Sequence, residues 1–284
     1  MTTKQQQTYA IVGATSDVGR VICDELIARG YDVRKISRRD GISLDDVDKL
    51  TQAFTGVSGA YIMLPFDMAA DDLHKREDEI SSALTEAIKH SGVRRVVLLS
   101  AASAHLTGHT GTSMGVARLE QRLATLDIPE LVFVRAGFFM ENFIKGMSFA
   151  DQAQSGVYRS AFTPDRPMPM IAAKDVGIRI ADILTEEPFN EPRVRELLGA
   201  KDYTMAEATR VLGAAVGRPD MVYQQVSYDE ARSGMLGLGV SPSFADAVAE
   251  TARSFNDGEV WAKEIRSTSN TTATTLEAFA EQML

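Results

Sequence analysis

Cysteine is almost absent from this sequence. Its one cysteine, Cys23, has no second thiol with which to form an internal disulfide bond, and it cannot build a cysteine-rich zinc site. A protein without disulfide bonds suits a reducing compartment, so we expect a cytoplasmic location. The first residues, MTTKQQQT, contain no apolar targeting stretch, which agrees with that expectation.

Long apolar runs and an excess of basic charge are also lacking. No run approaches the ~20 apolar residues that a membrane-spanning helix needs. The 30 Lys and Arg residues are outnumbered by 39 Asp and Glu residues, which gives a net charge of −9. We therefore expect no membrane insertion and no general binding of nucleic acid, whose phosphates attract basic surfaces. Hydrophobic residues make up 44% of the sequence, enough for a globular protein with a substantial core.

The first half of the sequence alternates between strand and helix patterns. Short apolar runs predict strands at residues 9–13, 32–37, 60–64, 96–100 and 131–135. Helical spacing of apolar residues predicts helices at residues 18–29, 71–90 and 113–126. The alternation predicts the α/β class with a doubly wound parallel sheet, the Rossmann architecture. Within the second helix, the stretch DDLHKREDE is interpreted as a solvated face, with Asp72 four residues before Arg76.

The second half of the sequence has a different pattern, in which several prolines separate short predicted elements. Three helix starts there have Ser or Thr three residues before Glu, the pattern of a capping box. The pairs are Thr204 with Glu207, Ser227 with Glu230, and Thr274 with Glu277. We predict a dinucleotide-binding core over residues 1–137 and a smaller α-rich substrate lobe over 138–284. The two form one intimate unit, and a return of the lobe's chain to the core stays open.

A glycine loop joins the first predicted strand to the first predicted helix. Its sequence is GATSDVG, residues 13–19. A turn at this position directs the free N–H groups and the positive end of the helix toward a bound pyrophosphate, and glycine lets the backbone approach it closely. The position between a strand and an amphipathic helix is the context that a dinucleotide site requires.

The glycine loop resembles the GATGxxG loop of extended and atypical short-chain dehydrogenases. Three later segments resemble the NmrA-like family: GVRRVVLLSAAS (92–103), LVFVRAGFFMENF (131–143) and LLGAKDYTMAEATRVLGAAVGRP (197–219). The similarity spans nearly the whole chain, and its FFMEN block is more specific than the glycine loop. The resemblance implies a Rossmann fold and a bound nicotinamide dinucleotide.

The sequence departs from the family pattern in three ways. Ser16 replaces the middle glycine of the loop and offers a hydroxyl donor. Few residues separate Ser37 from a helix start near Ser43, so we expect a truncated crossover and an altered sheet edge. The third departure concerns catalysis. Tyr-dependent short-chain dehydrogenases use a Tyr and a Lys at positions i and i+4 of one helix.

That catalytic pair has no counterpart in the predicted helix. The spacing occurs at Tyr31 and Lys35, but these residues belong to the second strand pattern, where they would lie roughly 13 Å apart. Counting back from Glu120, the family's Lys and Tyr positions fall on Val116 and Thr112. The resemblance therefore supports dinucleotide binding better than it supports Tyr-based catalysis.

The cofactor is predicted to be NADP(H). An NAD-selecting carboxylate would be expected about 20 residues beyond the glycine loop. The sequence has Ser37, Arg38 and Arg39 at the end of the second strand pattern, and a guanidinium binds a 2′-phosphate bidentately. Loops at the carboxyl ends of the other strands complete the site. The predicted cofactor-binding residues are Gly13, Thr15, Ser16, Asp17, Val18, Gly19, Ser37, Arg38, Arg39, Leu64, Pro65, Ser100 and Ala101.

Candidate catalytic and substrate residues follow later strands. His105 and Ser103 could donate a proton from the loop after residues 96–100, or serve only that loop's own hydrogen bonds. A metal site at His105 and His109 is disfavoured because no third ligand is evident. In FFMEN, Glu141 and Asn142 could cap a helix. The predicted substrate pocket contains Phe138, Phe139, Met140, Asn142, Tyr158 and Met168, with Met147, Met170 and Phe162 nearby. Ordinary core packing is the alternative for the cluster of Met147, Tyr158, Phe162, Met168 and Met170.

Two functions remain open at this point. The first is a reductase that transfers hydride from NADPH to a small, apolar, already electrophilic acceptor such as a quinone, an imine or iminium ion, or an enone. The second is a noncatalytic regulator that binds the dinucleotide and signals its redox state to a protein partner. A DNA-binding repressor is disfavoured by the net charge of −9.

Overall fold

A computed structural model describes residues 7–106, 108–145, 149–186, 193–258 and 263–284. Its strands are β1 (Thr8–Val12), β2 (Asp32–Ile36), β3 (Gly59–Ile62), β4 (Arg95–Ala101), β5 (Glu130–Ala136), β6 (Phe138–Phe139), β7 (Val157–Ser160), β8 (Met168–Ile171), β9 (Val194–Leu197), β10 (Asp202–Tyr203) and β11 (Val222–Gln225). Its helices are α1 (Asp17–Ala28), α2 (Val47–Phe54), α3 (Leu73–Ser91), α4 (Met114–Ala124), α5 (Glu141–Lys145), α6 (Phe149–Ser155), α7 (Ala173–Thr185), α8 (Met205–Ala215), α9 (Tyr228–Gly237), α10 (Pro242–Asp257) and α11 (Leu276–Met283).

The main sheet is parallel and has the strand order β2-β1-β3-β4-β5-β9. Side chains of a strand alternate between the two faces of a sheet. Ala10 and Val12 of β1 accordingly pack into the apolar cluster on one face, while Tyr9 and Ile11 pack into the cluster on the other. The predicted doubly wound Rossmann sheet is confirmed.

Helices cover both faces of this sheet. Leu50 of α2, Leu84 of α3 and Leu119 of α4 lie in the cluster on one face. Ile22 of α1 and Ile180 of α7 lie in the cluster on the other. Among the described residues, no helix combines the length and the apolar character needed to cross a membrane.

The crossover between β2 and β3 corrects a sequence-based expectation. The chain makes a short 3₁₀ turn at Arg38–Asp40 and then forms α2, whose first turn is capped by Asp46 through the N–H of Lys49. Eight residues are enough for this helix because Leu50 and Phe54 bury its inner face completely. The crossover is short but complete, and β2 keeps its regular place at the sheet edge.

The chain beyond β5 contributes to two layers. Strand β9 extends the main sheet beside β5, and α7 packs on α1. Two smaller sheets, ordered β10-β8-β6 and β11-β7, surround a third apolar cluster that contains Phe143, Tyr158 and Met205. Part of the C-terminal half is therefore built into the Rossmann layer.

Two of the three predicted capping boxes are confirmed. Thr204 and Ser227 each accept a hydrogen bond from the N–H three residues later, and the glutamate at that position binds back to the cap's own N–H. The third was wrong by one residue, because α11 is capped by Thr275. The hydroxyl of Thr274 instead donates to Asp175, 2.7 Å away, and the carboxylate of Glu277 accepts from the Tyr203 hydroxyl.

The contact between α1 and α7 depends on Gly177. A Cβ at this position would lie 2.6 Å from the Cβ of Val21, which cannot move without its helix. Gly177→Ala should therefore destabilise the protein by about 1–3 kcal/mol, as overpacked cores do. Gly234→Ala in α9 is the matched control, since a Cβ there meets open space. It should be neutral or stabilising by up to about 1 kcal/mol. Urea unfolding measures both, and equal stabilities of the two variants would contradict this packing.

Candidate functional site

The glycine loop forms a tight turn between β1 and α1. Gly13 has a φ of +65°, the left-handed region, and its N–H donates to the carbonyl of Ile36 at 2.9 Å. A Cβ at Gly19 would lie 2.9 Å from the carbonyl carbon of Gly13 and closer still to its oxygen, so only glycine lets the helix approach the strand this closely. Ser16 caps α1 by accepting from the N–H of Gly19, and its hydroxyl hydrogen stays available to a ligand.

A cleft of about 440 Å³ opens at the carboxyl edge of the main sheet. It begins at the first turn of α1 and continues across the loops that follow β3, β4 and β5. The predicted cofactor residues that line it are Ser16, Asp17, Val18, Leu64, Ser100 and Ala101. The predicted substrate residues that line it are Phe138, Phe139, Asn142 and Met168, and the catalytic candidate Ser103 lines it as well.

Several other predicted residues lie away from this cleft. Met140 and Tyr158 are fully buried in the apolar cluster of the C-terminal half, so they support the pocket's walls from behind. Met170 is buried in the same cluster, and Met147 lies outside the described residues. Pro65 is not among the lining residues.

His105 also lies outside the cleft lining. Its Nδ1 is 2.9 Å from the carbonyl oxygen of Ala102, in its own loop. Burial lowers the pKa of His105, and this keeps the ring neutral near pH 7. The geometry corresponds to the loop-bonding alternative for this residue.

A second, open depression lies on the other side of the α1 N-terminus. Thr15, Lys35 and Arg39 line it, together with Ser16 and Asp17 of the glycine loop, which it shares with the cleft. Neither Ser37 nor Arg38 is among its lining residues. The hydroxyl of Ser37 instead donates to the carboxylate of Asp40 at 2.5 Å.

The positions that replace the Tyr and Lys pair both line the cleft. Thr112 lies just before α4, and its hydroxyl is 3.0 Å from that of Thr251; Val116 is one turn further on. Lys35 lies in β2, and Tyr31, directly before this strand, packs edge-on against Tyr9 with ring centroids 5.3 Å apart.

The floor of the cleft contains a buried polar network. The hydroxyl of Ser100 donates to the carboxylate of Glu120, which Arg135 binds through two nitrogens at 3.0 and 2.6 Å. The guanidinium compensates the buried carboxylate, and the two groups fix the Ser100 side chain.

One ionisable cleft residue, Glu77, was misassigned from the sequence. It belongs to the stretch interpreted as a solvated face, yet only 1% of it is exposed, and it lines the cleft from α3. Asp72 does not pair with Arg76: it caps α3 through the N–H of Lys75, and Arg76 binds Asp45 at 2.6 Å. A helical pattern on one chain segment could not reveal that α4 packs over this face.

Two further polar groups line the cleft: Tyr61, which the sequence did not single out, and Glu141, for which it offered a helix-capping role. Tyr61 of β3 is fully buried, and its hydroxyl has no hydrogen-bond partner among the described residues. Glu141 accepts a hydrogen bond from the N–H of Ala173 at 2.9 Å, so it does cap a helix, namely α7. The other carboxyl oxygen of Glu141 has no hydrogen-bond partner in the described parts of the chain, and burial raises the pKa of Glu141. No cluster of three or more potential metal ligands occurs in the described ranges.

Fold and site together define a Rossmann-type protein with a ligand cleft at its carboxyl edge. The chain belongs to the NmrA-like family, whose family model matches residues 5–280. The resemblance inferred from the sequence motifs is thereby confirmed.

Among curated proteins, the chain is 27% identical over 267 residues to an uncharacterized oxidoreductase, YesF, of Bacillus subtilis (strain 168), with 89% of this chain and 86% of that protein covered. It is 25% identical over 230 residues to an NAD(P)H azoreductase of Xenophilus azovorans, with 81% and 76% covered. Among solved structures, the triphenylmethane reductase of Citrobacter sp. complexed with NADP(H) has a TM-score of 0.78 at 19% identity, with 97% of this chain and 100% of that chain covered. This last likeness concerns the fold.

The environments of Glu141 and Glu207 predict opposite pH dependences of stability. Burial raises the pKa of Glu141, so the native protein loses this residue's contribution as the pH rises through its folded pKa. The stability of Glu141→Gln relative to the parent should therefore increase from pH 4 to pH 7, starting near the ordinary carboxyl pKa of about 4.3.

Glu207 is the matched control, because the N–H of Thr204 lowers the pKa of this carboxyl. Its contribution is present above the ordinary pKa and is lost as the pH falls, so Glu207→Gln should lose relative stability over the same rise in pH. Urea unfolding across this pH series measures both slopes. Slopes of the same sign would contradict the assignment.

Proposed function

We propose that this protein is an NADPH-dependent reductase of a small, apolar, electron-poor acceptor. The observation that carries the proposal is one continuous cleft: it begins at the glycine loop and ends among apolar side chains. Phe138, Phe139 and Met168 form part of this apolar end. A regulator that only senses a dinucleotide has no need of such a chamber beside its cofactor site.

The residues around α1 fit a nicotinamide dinucleotide. The free N–H groups and the positive end of α1 suit a pyrophosphate, and Gly13 and Gly19 permit the tight turn that holds this helix end close to β1. Arg39 and Lys35 line the depression on the far side of the loop, where two positive charges suit the 2′-phosphate of NADP(H). Arg38, one residue away, remains a predicted contributor at the same end.

The bound cofactor would supply a hydride to the acceptor. The chain's own residues then have two tasks: to hold the acceptor in an apolar, water-poor chamber, and to leave space for it beside the cofactor. Thr112 and Val116 offer no strong acid at the family's usual position. This favours acceptors that are electrophilic before any proton arrives. The NAD(P)H azoreductase relative supports the same class of reaction.

The reductase proposal predicts oxidation of NADPH by a suitable acceptor. A panel of quinones, cyclic imines, iminium ions and enones would be offered to the purified protein with NADPH, and oxidation would be followed by absorbance. At least one class should be reduced with saturation kinetics. Ala102 lines the cleft outside the glycine loop. The larger side chain of Ala102→Leu should fill part of the chamber and raise KM by about tenfold or more. Tight NADPH binding without oxidation of any acceptor would favour the sensor instead.

Cofactor selection gives a separate prediction. Arg39→Ala should weaken NADPH binding by about tenfold while changing NADH binding little, because only NADPH carries the 2′-phosphate. Arg94→Ala removes the same charge from an exposed site before β4, at the opposite edge of the sheet, and should change neither affinity. Calorimetric titration measures both cofactors. Tighter binding of NADH than of NADPH by the parent would contradict the assignment.

A further inference from the structure

A Glu–His pair on α3, with the glutamate buried and the histidine partly exposed, connects the cleft to the protein surface. Glu77 lines the cleft, and His74, one turn earlier on α3, lines a separate open groove on the outside of the protein. Nδ1 of His74 lies 2.9 Å from Oε2 of Glu77. Glu77 is 1% exposed, whereas the side chain of His74 is 26% exposed. The pair thus lies between the cleft and the outer groove.

Glu77 reaches the cleft at the place where the family's acid is missing. Its carboxyl group packs over Gly115, near the start of α4. In the sequence, Gly115 lies between Thr112 and Val116, the positions that correspond to the family's Tyr and Lys. A Cβ at Gly115 would lie 2.9 Å from the Cβ of Glu77 and nearer still to its carboxyl group, so the missing side chain is what admits the carboxyl group. A carboxyl from α3 therefore occupies the wall to which Tyr and Lys would otherwise be attached.

The other acidic groups of the cleft lie elsewhere or are weaker acids. Glu141 caps α7, with Asp17 and Lys145 as its charged neighbours at the glycine-loop end. The phenol of Tyr61 is a very weak acid, because burial raises its pKa well above the usual range. Oε1 of Glu77 is buried and has no hydrogen-bond partner among the described residues, so no group in the described parts of the chain satisfies this oxygen.

The charges around Glu77 leave its carboxyl group suited to holding a proton. The groups that face it are His74 and Asp78 on α3 and Arg118 on α4. Arg118 is engaged by Asp78 at 3.1 Å and donates to the carbonyl oxygen of His74. Burial raises the pKa of Glu77 more than its charged neighbours lower it.

We infer that Glu77 is the proton donor of the cleft and that His74 restores its proton from solvent. The inference rests on the proposed reductase function. When a neutral acceptor takes a hydride from the reduced nicotinamide, its π-bond electron pair moves onto a heteroatom or an enolate oxygen. That atom forms a bond to the proton of the Glu77 carboxyl group. The resulting carboxylate takes a proton from His74, which regains one from water in the outer groove.

The decisive comparison uses two kinds of acceptor. A neutral acceptor, such as the quinone or enone that the parent reduces best, needs one hydride and one proton. A cationic acceptor, such as an N-alkyl iminium ion or a triarylmethane cation, becomes neutral on taking hydride and needs no proton. Glu77→Gln should lower kcat for the neutral acceptor by about 100-fold, the usual size of a lost general acid. It should change kcat for the cation by less than about twofold.

Glu86 and His90 provide a matched control on the same helix. They also form a Glu–His pair, 3.1 Å apart, but both are about half exposed and neither lines the cleft. Glu86→Gln and His90→Gln should leave both acceptors unaffected. His74→Gln should slow steady turnover of the neutral acceptor while sparing the first turnover, because only the return of the proton is impaired.

The pH dependence supplies a readout that a merely structural role would not move. In the parent, the ratio of kcat for the neutral acceptor to kcat for the cation should fall as the pH rises through the pKa of Glu77. In Glu77→Gln the ratio should be low and independent of pH. If Glu77→Gln lowered kcat equally with both acceptors, or with neither, the inference would be wrong, although the parent's activity would still support the proposed function. His74→Gln with the parent's steady rate would overturn the role of His74. If the parent oxidised NADPH with none of the acceptors offered, the proposed function itself would be wrong.

Discussion

The close backbone approach between the first turn of α1 and the end of β1 determines the geometry of the rest of the site. It exists because Gly19 has no Cβ to collide with the carbonyl group of Gly13. This contact holds the positive end of α1 at the carboxyl edge of the sheet. The parallel order β2-β1-β3-β4-β5 brings the loops after β3, β4 and β5 to the same edge. A ligand held by the helix N-terminus therefore faces the cleft that those loops enclose.

The C-terminal half depends on the same sheet for its position. Strand β9 pairs with β5, and the carboxylate of Glu141 caps α7, which packs on α1. Strand β6, which carries Phe138 and Phe139, continues directly from β5 and pairs with β8. The apolar wall of the cleft is thus bonded to the Rossmann layer at several points. This arrangement suits a chamber of fixed shape, which is what the positioning of an acceptor requires.

The elements of the Rossmann half could be predicted from the sequence because each has a strong local signal: the run at β1, the helical spacing of α1, and the glycines between them. For the short helix α2 the sequence predicted only a start near Ser43, four residues before its first residue Val47, because eight residues give little periodicity and the packing role of Leu50 and Phe54 is not visible in a local pattern. Site residues were harder still. Met140 and Tyr158 have side chains typical of an apolar pocket, but the structure buries them behind the pocket wall. Glu77 was predicted to be solvated, whereas α4 packs over it and buries it. Burial of one helix by another is a long-range property that a local pattern does not contain.

The proposed function requires that one cleft bring the cofactor's reactive end and an apolar acceptor together. A crystal structure of the protein with NADPH tests it most directly. We expect the pyrophosphate at the N-terminus of α1 and the nicotinamide C4 facing the chamber lined by Phe138, Ser103 and Glu77, with free space for an acceptor in contact with C4. A nicotinamide that fills this chamber, or one directed away from it into solvent, would show that the cleft does not bring cofactor and acceptor together.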